Sequence, residues 1–259
     1  MERILTDFTT NFYESTRIVS IRGNSCRFVV EGKRRIIIEH PSAHTQITFV
    51  RHGQVYNPER VVYGRLPGFP LSEFGKRQAQ AAAEALRDTP VAAVFSSPLV
   101  RAQQTAHMLL AERPDVPLYT SDLLNEVRFF FEGQPLITML SRNWDLYTGV
   151  DDPAYEQPPD VVARAREFLA QMRREYAGQH VVAVSHGDVI AFTALWAFGV
   201  ELIPANKHTL NVYGLADDYP APASLLTFTY APDAEERPTT VTYRRPYGED
   251  LTDNGVSPK

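Results

Sequence analysis

Two histidines, each followed by a glycine, stand out in this chain of 259 residues: Arg51-His52-Gly53 and Ser185-His186-Gly187. Arg101, in the run Ser96-Ser97-Pro98-Leu99-Val100-Arg101, and Glu126, in Leu124-Asn125-Glu126, complete a set with a common use. Arginine forks match phosphate oxygens and stay charged at any working pH. A histidine held neutral by nearby arginine charge is a nucleophile toward phosphorus. Phosphoryl transfer needs positive charge around the phosphoryl oxygens more than it needs a metal. A nearby carboxylic acid can protonate the oxygen that leaves. The set therefore fits phosphoryl transfer through a phosphohistidine. Taken singly, each residue is ordinary: a structural histidine, a solvated arginine, a loop glutamate. Their joint placement carries the argument.

That placement follows from the elements around them. Short apolar strands are expected at 47–50, 91–95, 116–119 and 181–184, with later strands at 224–230 and 240–243. Helices are expected at 71–88, from 98 to about 112, starting at 135–140, at 161–176 and at 188–198. Ser97 reads as an N-cap, with Pro98 at the first helical position, where its missing N–H costs nothing. Gly178 reads as the stop after the fourth helix. A proline- and acid-rich loop spans 151–160. Strands alternating with helices imply a three-layer α/β/α sandwich around a mainly parallel sheet. Sites in such sheets form beyond the carboxyl ends of the strands. His52, Arg101, Glu126 and His186 all fall there, on one edge.

Residues 1–45 read as a β-hairpin-like extension, with Val- and Ile-rich segments at 17–22, 27–31 and 34–39 and a turn at Glu31-Gly32. The catalytic domain is expected at 46–247 and a polar, mobile tail at 248–259.

Composition removes other classes. With 44% apolar and 11% aromatic residues the chain can bury a core. Its net charge of −5 disfavours a general nucleic-acid or membrane-surface binder. The longest apolar run, 189–200, is shorter than the roughly 20 residues that span a bilayer. No signal-peptide run opens the sequence, so a cytoplasmic location is expected. The single cysteine, Cys26, makes no internal disulfide. A thiol phosphatase would need an arginine six residues after it, where this chain has Gly32. Gly75-Lys76 is not a P-loop, since Pro70 and Arg77 stand at the positions that matter, and no zinc or dinucleotide motif is present. Val184-Ser185-His186-Gly187 has the outline of a serine-hydrolase elbow, but that reading explains neither Arg51-His52-Gly53 nor Arg101. No metal or cofactor is expected.

The segment Phe49-Val50-Arg51-His52-Gly53-Gln54 resembles the signature of the histidine phosphatase superfamily, also called phosphoglycerate mutase-like. Supporting segments follow in the expected order: Gly64-Arg65-Leu66-Pro67-Gly68, Leu71-Ser72-Glu73-Phe74-Gly75, Ser96 through Ala106, Leu124-Asn125-Glu126 and Val184-Ser185-His186-Gly187. The resemblance covers about 45–230 and implies the phosphoglycerate mutase-like fold. It implies His52 as the phosphorylated nucleophile, with Arg51, Arg101 and His186 binding the phosphoryl group and Glu126 donating the proton. It adds Asn57 and the peptide N–H of Gly187 as phosphate contacts. The chain departs from the family pattern at Val55, where Ser or Thr is common, and at Pro58, where the asparagine usually lies. Phe129-Phe130-Phe131-Glu132-Gly133 also lacks the usual tryptophan. Asp188 is the second candidate acid, because another branch places an aspartate directly after its second histidine; here Gly187 intervenes. The expected activity is that of a metal-independent, histidine acid phosphatase-type phosphomonoesterase acting on a small phosphorylated metabolite. A mutase, with Arg65 and Arg128 as extra grips, and a non-catalytic phosphoprotein-binding module are the alternatives. A homodimer is compatible with the sequence. Specificity is expected in 61–69, Phe129–Phe131 and 144–156, and any aromatic there that lines the pocket should meet the leaving group.

Overall fold

The computed structural model describes residues 17–20, 27–31, 35–39 and 44–251. The chain divides into two compact units, Met1–Ala43 and His44–Lys259. In the first, strands β1 (Arg17–Ser20), β2 (Arg27–Glu31) and β3 (Arg35–Glu39) form an antiparallel three-stranded sheet in the order β1-β2-β3. These are the three expected segments. The Glu31-Gly32 turn extends past the described residues.

The second unit is built on six strands: β4 (Thr45–Arg51), β5 (Ala93–Ser96), β6 (Leu118–Thr120), β7 (His180–Ser185), β8 (Leu225–Tyr230) and β9 (Thr240–Arg244). Their order is β6-β5-β7-β4-β8-β9. The first four run parallel, and β8 and β9 are antiparallel additions. Alternation along each strand feeds two cores. Phe49, Phe95 and Ala183 face α4 (Pro158–Glu175) and α5 (Gly187–Phe198). Val50, Val94, Val182 and Val184 face α1 (Glu73–Leu86) and α2 (Val100–Leu109). The result is the expected α/β/α sandwich, its sheet mixed rather than wholly parallel. Strand β7 is apolar from Val181 to Val184 because it is central and covered on both faces.

The local signals mostly act as expected. Ser72 caps α1, its hydroxyl accepting from Gly75 N at 2.9 Å. Asp160 reaches back to the Gln157 N–H at 2.9 Å to open α4. A short α3 (Ile137–Ser141) stands where a helix start was expected. One reading is corrected: Ser97 does not cap α2, which starts at Val100 after an uncapped Leu99. The Ser97 hydroxyl is engaged elsewhere, as described below. At the other end of the chain, Gln78 Nε2 donates to Leu251 O at 3.0 Å, so residues 248–251 are tied to α1 and not free. The remainder of the expected tail lies outside the described residues.

Candidate active site

The register of β4 and β7 builds the centre of the site. Arg51 pairs with Ser185, so the next residues, His52 and His186, leave the sheet side by side, with ring centroids 5.1 Å apart. Both are buried. His52 N donates to Ser185 O at 3.0 Å, which carries the strand pairing into the site. Gly53 allows close approach to another main chain: a Cβ there would lie 2.3 Å from Gly75 O. The contact is with the start of α1.

Arg101, in the first turn of α2, is fully buried and lies between the two rings. Its Nε donates to His52 Nε2 at 3.2 Å, and its Nη2 lies 3.2 Å from His186 Nδ1. A guanidinium only donates, so both of those ring nitrogens are bare. Each ring then keeps its proton on the opposite nitrogen. His52 Nδ1 donates to Gly53 O at 2.8 Å, and His186 Nε2 donates to Ser97 Oγ at 2.8 Å. Burial first, then Arg101 and Arg51, holds His52 well below the ordinary imidazole value. Burial and Arg101 do the same to His186. The outcome is a neutral imidazole whose Nε2 lone pair faces positive charge.

Glu126 follows a short helical turn, Asp122–Leu124. Its Oε2 is 3.6 Å from Arg101 Nη2 and 3.5 Å from His186 Nδ1. Burial lifts its carboxyl above the usual carboxylate range, against the opposing pull of Arg101. A clamp holds this segment. Arg65 Nε donates to Glu126 O at 2.6 Å, and Arg164 Nη1 donates to Leu123 O at 2.8 Å. Glu156 joins the two arginines, accepting from Arg65 Nη2 at 2.8 Å and from Arg164 Nε at 2.6 Å.

His52, Glu126 and His186 present three metal-ligand atoms within 4.8 Å of one another. The fit to a cation is poor, because Arg101 already places its charge within hydrogen-bond reach of both histidines and 3.6 Å from the carboxylate.

Arg51 is half-buried. Its Nη1 donates to Pro220 O at 2.7 Å, its guanidinium lies 5.2 Å from the centre of the Tyr219 ring, and its buried Nε has no partner. Gly187 opens α5, and a Cβ on it would lie 2.1 Å from the Tyr219 hydroxyl. Asn57 lines the same cavity as Arg51, His52, Glu126 and Gly187. Its amide also closes its own turn, donating to Val61 O at 2.8 Å and accepting from Val61 N at 3.2 Å. Asp188 is an ion-pair partner. It accepts from Lys207 Nζ at 2.9 Å, Tyr147 Oη at 2.7 Å and Tyr219 Oη at 2.6 Å. Burial pushes its carboxyl up, but Lys207 and the two hydroxyls outweigh this and hold it ionised. An ionised carboxylate has no proton to give, which removes Asp188 as the second candidate acid.

The cavity, of about 120 Å³, has Val55, Val62, Phe129, Leu136, Trp144 and Leu146 in its wall. Of the aromatics marked in the sequence, Phe129 and Trp144 line it, Phe131 is in the core and Phe130 is exposed. Arg65 and Arg128 do not line it. The sequence reading missed Lys207, Tyr219, Glu156 and the role of Ser97.

A mixed α/β sheet thus brings two neutral histidines, two arginines and a protonatable glutamate to one edge, which is the constellation the family resemblance implied. The chain belongs to the histidine phosphatase superfamily, branch 1, whose family model matches residues 47–216. It is 41% identical over 148 residues to the uncharacterized protein Rv0525 of Mycobacterium tuberculosis, covering 55% of this chain and 73% of that protein. It is 33% identical over 158 residues to a 2,3-bisphosphoglycerate-dependent phosphoglycerate mutase of Gloeobacter violaceus, covering 56% and 71%. Among solved structures, the mycobacterial glucosyl-3-phosphoglycerate phosphatase Rv2419c superposes with a TM-score of 0.58 at 25% identity, over 78% of this chain and 96% of that one. No helix among the described residues is long and apolar enough to cross a membrane.

Proposed function

We propose that the protein is a phosphomonoesterase that hydrolyses a small phosphorylated metabolite through a phosphohistidine on His52. The observation that carries this reading is the bare Nε2 of His52, held toward Arg101 by the Nδ1 hydrogen bond to Gly53 O. In the first step His52 Nε2 forms a bond to phosphorus and the ester P–O bond breaks. Glu126, protonated, gives its proton to the departing oxygen. The positive charge that develops on the ring is met by the Gly53 carbonyl. Arg101 and Arg51 turn their donors to the phosphoryl oxygens, and the N–H of Gly187 at the helix start adds a further donor. The substrate's negative charge raises the pKa of His186, which then donates as an imidazolium. In the second step Glu126, now ionised, takes a proton from water as its oxygen attacks phosphorus. The N–P bond breaks, inorganic phosphate leaves, and His52 returns to the neutral state.

A mutase needs cations to grip a second acid group. The two arginines considered for this lie outside the cavity wall, and Arg65 is bound to Glu156. Phosphatase is therefore the reading the geometry supports best. The test is the His52→Ala variant, which should lose both turnover and the acid-labile phosphoenzyme. Labelling that persists in it overturns the assignment. Isomerisation of 3-phosphoglycerate with a bisphosphate primer would establish the mutase instead. Tight binding of a phosphorylated protein without turnover of any monoester would establish the binding module.

A further inference from the structure

We infer that the alcohol carried by the substrate is uncharged and mainly apolar. This rests on the phosphomonoesterase reading and extends it to the other half of the ester. Once Arg51, His52, Arg101 and His186 are assigned to the phosphoryl group, the charges left along the cavity cancel or face water. Lys207 and Asp188 neutralise each other at 2.9 Å. Arg60 is exposed, where solvent screens it. Most of what remains beside the phosphoryl position is the wall of Val55, Val62, Phe129, Leu136, Trp144 and Leu146, with Gln54, Tyr63 and His208 as uncharged polar neighbours. A sugar has more hydroxyls than these few polar neighbours can pair, and a second phosphate would meet no buried cation that is not already paired.

Trp144 is set into this wall by a dedicated arrangement. It has φ +60°, next to Asn143 at φ +50°, a conformation that side-chain-bearing residues adopt at a cost. Its carbonyl accepts from Lys207 Nζ at 2.7 Å, and its N–H donates to Met139 O at 2.8 Å. A buried lysine thus fixes the main chain of a cavity tryptophan, in the way strain is retained where a side chain must stand at one place in a site.

The experiment compares kcat/KM for esters whose alcohols differ in polarity and little in leaving ability: methyl, n-butyl and benzyl phosphate against glycerol 3-phosphate, glucose 6-phosphate and 3-phosphoglycerate. Benzyl phosphate is expected to exceed the sugar and acid phosphates by about tenfold or more, with a rise from methyl to butyl to benzyl. Trp144→Ala should remove most of that advantage, read as the ratio of kcat/KM for benzyl phosphate to that for glycerol 3-phosphate. A flat series, or preference for the charged or hydroxylated esters, overturns the inference and leaves the phosphatase reading standing. Failure to hydrolyse any ester overturns the phosphatase reading itself. The wild-type series decides the matter even if the tryptophan variant does not fold.

Discussion

Replacing Lys207 by methionine removes one half of a buried ion pair and leaves Asp188 facing two tyrosine hydroxyls alone. Breaking such a pair from one side costs about 3–5 kcal/mol, because the remaining charge is still desolvated. The two hydroxyls continue to donate, so the low end, about 3 kcal/mol, is expected near pH 8, with about 1 kcal/mol more for the Trp144 carbonyl left without its donor. The cost must depend on pH. In the native chain the Asp188 carboxyl is depressed, so it stabilises above the ordinary carboxylate range, and that stability is lost as pH falls through its folded value. Without Lys207, burial raises the same carboxyl. Its penalty then grows as pH climbs from the unfolded toward the folded value, and it is smaller at pH 5 than at pH 8. Urea unfolding followed by tryptophan fluorescence suits the measurement, since both tryptophans, Trp144 and Trp196, lie in the 44–259 unit. Adding Asp188→Asn should restore part of the loss. A destabilisation below about 1 kcal/mol at pH 8, or one equal at both pH values, would refute the buried-pair reasoning.

Glu126→Gln should slow benzyl and methyl phosphate by about 10²-fold or more, with far less effect on p-nitrophenyl phosphate, whose leaving group needs no proton; equal losses on both would remove Glu126 from the acid role. In the wild type, the rate on the poor leaving groups should fall as pH rises through the Glu126 value, which burial places above the ordinary range, and pH–rate profiles read this directly. Glu156→Gln loosens the clamp on residues 123–126 and should lower kcat for poor leaving groups by about tenfold with KM nearly unchanged, as steady-state kinetics on the two ester classes would reveal. Activity should persist after dialysis against a strong chelator, and a loss restored by a divalent cation would contradict the place given to Arg101.

The strand exits were legible because buried parallel strands are short apolar runs, and the residue that follows such a run is fixed by the sheet. That argument placed His52 and His186 and, through the next helix, Arg101. The limits are equally physical. Ser97-Pro98 carries the local marks of a helix start, yet a hydroxyl that can cap a helix can equally hold a histidine tautomer, and a tertiary partner 89 residues away decided between them. Lys207 lies in a short 3-10 turn, Pro204–His208, and Glu156 in an irregular segment, places where a charged residue normally faces water, and nothing local marks them as buried or clamping. One signal for Lys207 was present: Asp188 stands at the head of a helix of almost wholly apolar residues, where a buried carboxylate calls for donors or a cation from elsewhere. The expected Asn57 contact came from the family pattern, and the amide's geometry depended on how its own loop closes.

The pairing of Arg51 with Ser185 has a consequence for how this chain can vary. The two histidines coincide only because each strand delivers its last residue at the same count from a shared row. A one-residue deletion inside β4 or β7 would turn one ring to the opposite face of the sheet, out of reach of Arg101. Changes of length are thus barred from these two short strands, and the segment around Trp144 is itself tied to the residue two past His186 through Lys207 and Tyr147. The removal of a single peptide unit from either strand would in this way separate the two rings and end the chemistry.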